Sequence, residues 1–452
     1  MHTEIFIKLP PRKLFFHCAV PAAVTSVAGA LYAVVDGMFV GRFIGEAALA
    51  AISITMPIVL MVEALANMIA TGASVNIAIL LGQKDRAAAS RLFSFSVKFI
   101  LACSCLVGLG GFFFARPLVM LLAPNASPEV IALCTTYLQI YAIFAPLIPI
   151  YFATDNFLRD CGQQRISMGI NIATQLLNVA LDYLLIVVLG QGIAGAAIGS
   201  CLSLALGSLL TLVLFLGRRL DLYYTSGSIP LGKFFRLILN GASEFFSNIA
   251  TSIMSLVLNI FLLQYGGTTA VAAFSIVMYI DSMLGMLNFG ICEALQPAIS
   301  YCYGARRFLR MTILFRIVRI AMMTIAAISF LLMLLAGPFA VQLFIRPEDS
   351  GLMEISLTAI TIFAFSYLPG WIDMCYSSYF TALDRPAISL IVSICGTLLF
   401  PLTILFLFSH LWGLMGIWLM FPASALASSI LTLFLHRTSC AKTPLRRKDI
   451  PV

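Results

Sequence analysis

Three properties of the 452-residue sequence predict an all-α integral membrane protein, with twelve transmembrane helices in two six-helix lobes. The first is composition. Hydrophobic residues make up 61% of the chain, charged residues 10%, and mean hydropathy is +1.03, too apolar for an ordinary water-soluble domain. The second is run length: apolar stretches of roughly 20 residues or more, the length a helix needs to cross the hydrocarbon, follow one another almost without pause. They are too long for the short alternating strands of a β-barrel. The third is an internal repeat at an offset of 222 residues, described below.

Taken in order, the first apolar run, 14–40, exceeds the core of a secretory leader and lacks a small-residue cleavage site behind a short apolar stretch, so it reads as a retained helix. It carries Pro21, whose missing N–H is expected to bend it. Runs at 47–81, 92–115, 129–158, 166–189 and 193–216 complete the first lobe, 1–216. The polar stretch 217–236, "GRRLDLYYTSGSIPLGKFFR", is the longest inner loop and joins the lobes. Runs at 237–263, 270–302, 312–336, 352–380, 387–409 and 414–435 fill the second lobe, 237–436, ahead of a basic tail, 437–452. Several exceed the bilayer thickness and predict tilt or extension beyond it.

The net charge of +8 is a matter of placement, not of a nucleic-acid partner. Alternate loops, together with both termini, hold 21 of the 27 Lys and Arg; the opposite side holds Arg42, Arg116 and Arg346, and the runs themselves hold Lys98, Arg316 and Arg319. That bias predicts a multi-pass plasma-membrane or inner-membrane protein with both termini in the cytoplasm.

At an offset of 222, "GEAALAAISI" from Gly45 lies over "GTTAVAAFSI" from Gly267, identical at six positions of ten. Without a gap, Met56 meets Met278, Gly82 meets Gly304, and Ile166-Ser167 meet Ile388-Ser389. One residue of slippage brings "GIAG" at Gly192 over "GLMG" at Gly413. Six spans per repeat is an even number, so both halves enter the membrane from the same side and are related by an axis along its normal.

Pro21, "LYAVVDGMFVGRFIGEAALAAISITMP", "NVALD" in the fifth run, "GIAGAAIGS" entering the sixth and "GASEFF" opening the seventh occur in an order that resembles the multidrug and toxic compound extrusion (MATE) transporters, in particular their MepA-like branch. The resemblance implies a V-shaped pair of lobes and alternating access. It also implies export of amphipathic, often cationic, small organic compounds against inward protons or sodium, with no other cofactor. A protein of that kind is expected to act as a monomer among membrane lipids.

Intramembrane carboxylates cost about 2.5–3.5 kcal/mol each on insertion scales, so each one is a functional hypothesis. At about 1.5 Å per residue, Asp36 lies some 9 Å below the outer end of its run. Asp182 lies about 12 Å below the outer end of the fifth, and Ser200 about 10 Å into the sixth. Asn178 sits one turn deeper than Asp182 on the same face, and Tyr32 one turn from Asp36. These five form a candidate ion-coupling site. Desolvation and a neighbouring carboxylate both oppose double ionisation, so Asp36 and Asp182 are suited to exchanging a proton. Their spacing is similar to the N-lobe proton-linked site of the MATE family, with Ser200 in place of the threonine common there.

The second half lacks this set, since Asp36, Asn178 and Asp182 become Leu258, Phe400 and Ile404. It carries Glu244, Asp373 and Glu293 at about 10, 12 and 15 Å from the cytoplasmic side instead. These acids, with Asp281 and Glu63 near mid-membrane, are candidates for cationic substrate or a second coupling site; Asp281 and Glu63 are expected to face protein or water. Salt bridges from Glu244 or Asp373 to Arg316 or Arg319 are the bland alternative. Some MATE branches carry a C-lobe glutamate later in the seventh helix than Glu244, so a sodium site does not transfer directly.

Other classes fit less well. A lipid-linked oligosaccharide flippase of the same superfamily would use a cationic cavity, whereas this inventory is acidic. In a major-facilitator transporter, "GQKDRAAASR" at Gly82 departs from the loop motif after "DR". No nucleophile-and-base constellation or phosphate-binding glycine loop points to an enzyme or an ATPase. The 11 Cys lack paired spacing and the four His are scattered, so neither a disulfide framework nor a structural metal follows. Uphill work then requires an ion gradient, and one charge crossing 100 mV supplies about 2.3 kcal/mol.

Overall fold

The computed structural model describes residues 2–124, 126–217, 220–227, 229–344 and 350–441. Arg346 and the tail beyond residue 441 lie outside them. All the elements described are helical. A turn of 3-10 helix, His2–Glu4, and a turn of α-helix, Ile5–Lys8, precede α1 (Pro11–Phe39), α2 (Glu46–Gly82), α3 (Arg86–Leu122), α4 (Pro128–Phe144), α5 (Ile148–Asp160), α6 (Gln164–Asp182) and α7 (Gly192–Leu216). The second half follows with α8 (Leu231–Glu293), α9 (Gln296–Gly304), α10 (Phe308–Leu335), α11 (Gly337–Phe344), α12 (Ser350–Ala364), α13 (Tyr367–Ala382), α14 (Pro386–Ile394) and α15 (Phe400–Ala441).

Among the described residues, eight helical stretches are long and apolar enough to cross a membrane, and α4 with α5 and α12 with α13 each form a further span, bent by 48° and 50°. Two of the eight, Phe234–Gly304 and Pro386–Thr438, are interrupted by Gly267 at φ 66° and Gly413 at φ 58° and so count twice. Twelve spans result. Glycine alone adopts such backbone angles at no steric cost, so the breaks fall in the two short loops expected between the seventh and eighth runs and the eleventh and twelfth. Three other runs differ from expectation. The fourth and tenth bend in mid-course, and the eighth is interrupted at Ala294–Leu295 between α8 and α9.

The repeat is also visible in the backbone. Gly45 and Gly267, Lys84 and Arg306, and Gly162 and Asp384 are pairs 222 residues apart, and all six have positive φ; Gly192 and Gly413, one residue out of register, match at φ 57° and 58°. Non-glycine residues rarely occupy this region, so three non-glycine members at matching positions mark inherited turn geometry.

The chain divides into two compact units, one formed by Met1–Leu9 and Val20–Gly241, the other by Pro10–Ala19 and Ala242–Val452. The chain passes between them three times, at Leu9–Pro10, inside α1 at Ala19–Val20 and inside α8 at Gly241–Ala242.

In the first unit, Ala48, Ala51, Val59, Tyr141, Ile148, Ile193 and Cys201 belong to one buried core. The inner half of α2 is buried along most of its length, and its Gly72 lets the start of α8 approach: a methyl there would collide with the Leu237 carbonyl, and one on Gly241 with that of Met68. Small residues at such crossings permit backbone-close packing. The linker lies along the first turns of α3. Asp221 pairs with Arg86 and accepts from the Thr3 N–H and hydroxyl at 2.9 Å; Tyr223 N–H donates to Ser90 Oγ at 3.3 Å and Thr225 N–H to Ser94 Oγ at 2.9 Å. Tyr224 packs on Phe93, 5.0 Å between centroids, and burial pushes its phenol up to about 12.

The second unit has its own core of Met254, Leu258, Phe274, Val277, Met333, Phe363, Leu405 and Trp418. On both units large apolar side chains face outward, Leu121 at 78% and Leu335 at 70% exposed among them, as a lipid solvent requires.

Candidate functional site

The densest polar group within the spans lies in the first unit, where α6 carries Ser167, Asn171, Thr174, Asn178 and Asp182 at spacings of three and four. Such spacing aligns side chains on one helical face, and Ser167, Thr174, Asn178 and Asp182 are all buried. Asp182 is the last α-helical residue; the next turn, Tyr183–Val188, widens to a π-helix, a distortion frequent at functional sites. Gly199 of α7 makes room for it, since a Cβ there would sit 2.5 Å from Asp182 Oδ1.

Around Asp182 the structure gathers four of its expected companions. The Asp36 carboxyl from α1 is within hydrogen-bonding reach of Asp182. Both Asp182 oxygens are buried with no N–H or hydroxyl donor on them. Asn178 Nδ2 donates to Ser200 Oγ at 3.1 Å, and Tyr32 lies beside Ser200. Asn178 Oδ1 is buried without a partner. Two unit charges about 4 Å apart repel by roughly 4 kcal/mol at an effective dielectric of about 20.

Glu63, on α2, stands apart from this pair and accepts a hydrogen bond from Tyr141 Oη at 3.0 Å. Tyr137 lies one turn earlier on the same face of α4. Neither tyrosine was singled out from sequence, where an aromatic ring in an apolar run is indistinguishable from packing. A second group joins α5 to the start of α6. Asp155 of α5 accepts from Ser167 Oγ at 2.5 Å and Asn171 Nδ2 at 2.8 Å and pairs with Arg159 at 3.1 Å, while Tyr151 Oη donates to Asn171 Oδ1 at 2.9 Å. Its counterpart 222 residues on is uncharged: Ser377 bonds Ser389 and Ser393 at 3.1 and 3.3 Å.

The candidate acids of the second unit have separate surroundings. Asp281 on α8 accepts from Tyr367 Oη at 2.6 Å, and Asp373 on α13 accepts from Thr432 Oγ1 at 2.6 Å. Thr432 thus occupies the Asp373 carboxylate, and Arg319 turns to Tyr376 Oη at 3.5 Å. Glu244 is half-buried near the start of α8 and Glu293 ends that helix before the break. Glu63 and Asp281 thus both contact protein through a tyrosine. Pro21 is buried inside α1, which continues through it. Among the described residues no group of three or more His, Cys, Asp or Glu is arranged to hold a metal ion.

The sequence matches the MatE family model over residues 21–184 and 245–407, one match in each half. It is 27% identical over 438 residues to the multidrug export protein MepA of Staphylococcus aureus strain MSSA476, covering 95% of each chain. It is 27% identical over 413 residues to MepA of Staphylococcus saprophyticus, covering 90% of this chain and 89% of that one. In fold it is similar to a crystal structure of MATE in complex with MaD3S, with a TM-score of 0.90 at 22% identity over 97% and 98% of the two chains. It is similar also to an outward-facing multidrug resistance MATE family transporter of the MOP superfamily, with a TM-score of 0.87 at 23% identity over 96% and 97%.

Proposed function

Because the chain belongs to the MatE family, with its twelve-helix fold, we propose that it is a secondary active efflux transporter that exports amphipathic, mainly cationic, organic compounds by ion-coupled antiport. The relatives named as multidrug export proteins support the substrate class. The observation that carries the coupling is the Asp36–Asp182 pair, two carboxyls within reach of one another with no donor on Asp182. In this reading the pair takes up a proton when open to the outside. The added proton removes repulsion between Asp36 on α1 and Asp182 on α6, lets Asn178, Ser200 and Tyr32 rearrange, and is lost to the cytoplasm after α1 has shifted. Alternation then follows from differential protonation of two packings. Pro21 relieves α1 of one backbone hydrogen bond below the pair and acts as the place where that helix flexes. One proton moving down 100 mV gives about 2.3 kcal/mol, which sustains roughly a 50-fold gradient of substrate at 1.4 kcal/mol per tenfold. Both termini lie in the cytoplasm, and the protein works as a monomer with lipid around it.

The test is efflux of a cationic dye from vesicles under an imposed proton gradient, with a sodium gradient in parallel. Asp36→Asn and Asp182→Asn, folded and inserted, should each slow proton-driven efflux at least tenfold. Normal proton-driven efflux by both variants overturns this site, and efflux that follows sodium alone replaces the proton. A folded parent that moves no dye overturns the export reading itself.

A further inference from the structure

Glu63 is left over from the coupling pair. It lies about 25 Å below the outer start of α2 at 1.5 Å per residue, roughly 16 and 13 Å deeper than Asp36 and Asp182 sit in their own spans, so it is not a third member of that pair. Its hydrogen-bond partner is the neutral Tyr141 hydroxyl, and among the described residues it makes no ion pair. A mid-membrane carboxylate with no cation of its own is expensive to keep. Its surroundings are aromatic, because Tyr141 donates to it and Tyr137 lies one turn earlier on the same face of α4. A carboxylate flanked by phenol rings attracts delocalised or quaternary organic cations by charge and by ring quadrupole together, without a hydrogen bond from the ligand.

The same construction appears at the related helix pair of the second unit. There Asp281 on α8 accepts from Tyr367, with Phe363 one turn earlier and edge-on to it at 6.1 Å between centroids. Tyr141 and Phe363 are equivalent residues of the repeat, 222 positions apart. Both halves therefore keep an acid facing an aromatic pair across these two helices, although the acid and its tyrosine have each moved by one turn and the Asp36–Asp182 pair has not been kept.

We propose that Glu63, with Tyr137 and Tyr141, is the N-lobe subsite that recognises the positive charge of an organic cation and sets the preference for cations over neutral compounds of the same shape. This rests on the efflux reading for its biological meaning, but its test needs binding alone. Equilibrium binding of tetraphenylphosphonium and of the uncharged triphenylphosphine oxide is measured on the purified full-length protein, for the parent, Glu63→Gln and Glu63→Asp. Glu63→Gln should weaken tetraphenylphosphonium at least tenfold and leave the oxide within twofold, and Glu63→Asp should keep the preference for the cation. Should Glu63→Gln not fold, the parent supplies a second measurement. Modification of Glu63 by a hydrophobic carbodiimide, read by mass spectrometry, should be blocked by tetraphenylphosphonium and not by the oxide. Equal effects on both probes, or none, overturn the inference and leave the efflux reading standing. A folded parent that binds neither probe overturns both.

Discussion

In the proposed reading, much of the coupling chemistry rests on one hydroxyl, that of Ser200. It accepts from Asn178 Nδ2 and faces Tyr32, so it joins the α6 and α1 sides of the site. Ser200→Thr keeps the oxygen and should retain at least half of the proton-driven efflux rate. Ser200→Ala leaves the buried Asn178 amide without its acceptor, a loss of about 1–3 kcal/mol, and should cut the rate several-fold at unchanged protein level. Efflux assays on reconstituted protein separate the two. At this scale the carboxylates were legible in the sequence, because a charge in an apolar run has no cheap structural excuse and a rise of about 1.5 Å per residue gives its depth. Tyr137 and Tyr141 were not, since their roles arise only when Glu63 arrives from another helix. Asp155, Ser167 and Asn171 were missed for a similar reason: they lie near a loop, where polar residues are routine, and only their convergence sets them apart.

Helices carry their own constraints. Gly199 is the point where α7 approaches Asp182, and the added methyl of Gly199→Ala would press on the carboxylate at 2.5 Å. Overpacking costs typically about 1–3 kcal/mol, and here it displaces the coupling group as well. The variant should lower the melting temperature of the purified protein and abolish at least nine-tenths of proton-driven efflux; wild-type rates would show that the close approach is dispensable. Breaks at Gly267 and Gly413 were legible because glycine between two apolar runs invites a turn. The bends that divide α4 from α5 and α12 from α13 were read through, although Pro146 and Pro149 stand at the first and Pro369 at the second. A proline without its N–H ends or bends a helix, but each stretch is apolar on both sides of it and so reads as one run.

For the whole molecule, duplication was legible through matched residues, and the structure adds matched backbone angles at positions where the residues differ, such as Gly162 and Asp384. The loop 217–236 was expected to divide the lobes, yet its described residues up to Thr225 are bound to the first unit through Arg86, Ser90 and Ser94. The unit boundaries fall elsewhere, at Leu9–Pro10, inside α1 at Ala19–Val20 and inside α8 at Gly241–Ala242. This has a genetic consequence. If the reading frame is cut after Gly227, each of the two polypeptides carries a helical stretch that completes the other's unit: Pro10–Ala19 on the first, Leu231–Gly241 on the second. Neither product is then a self-sufficient half. Produced alone, each should be degraded; produced together from one operon, they should copurify through a tag on either one and restore dye resistance, so that the gene can be divided but its two products cannot be inherited apart.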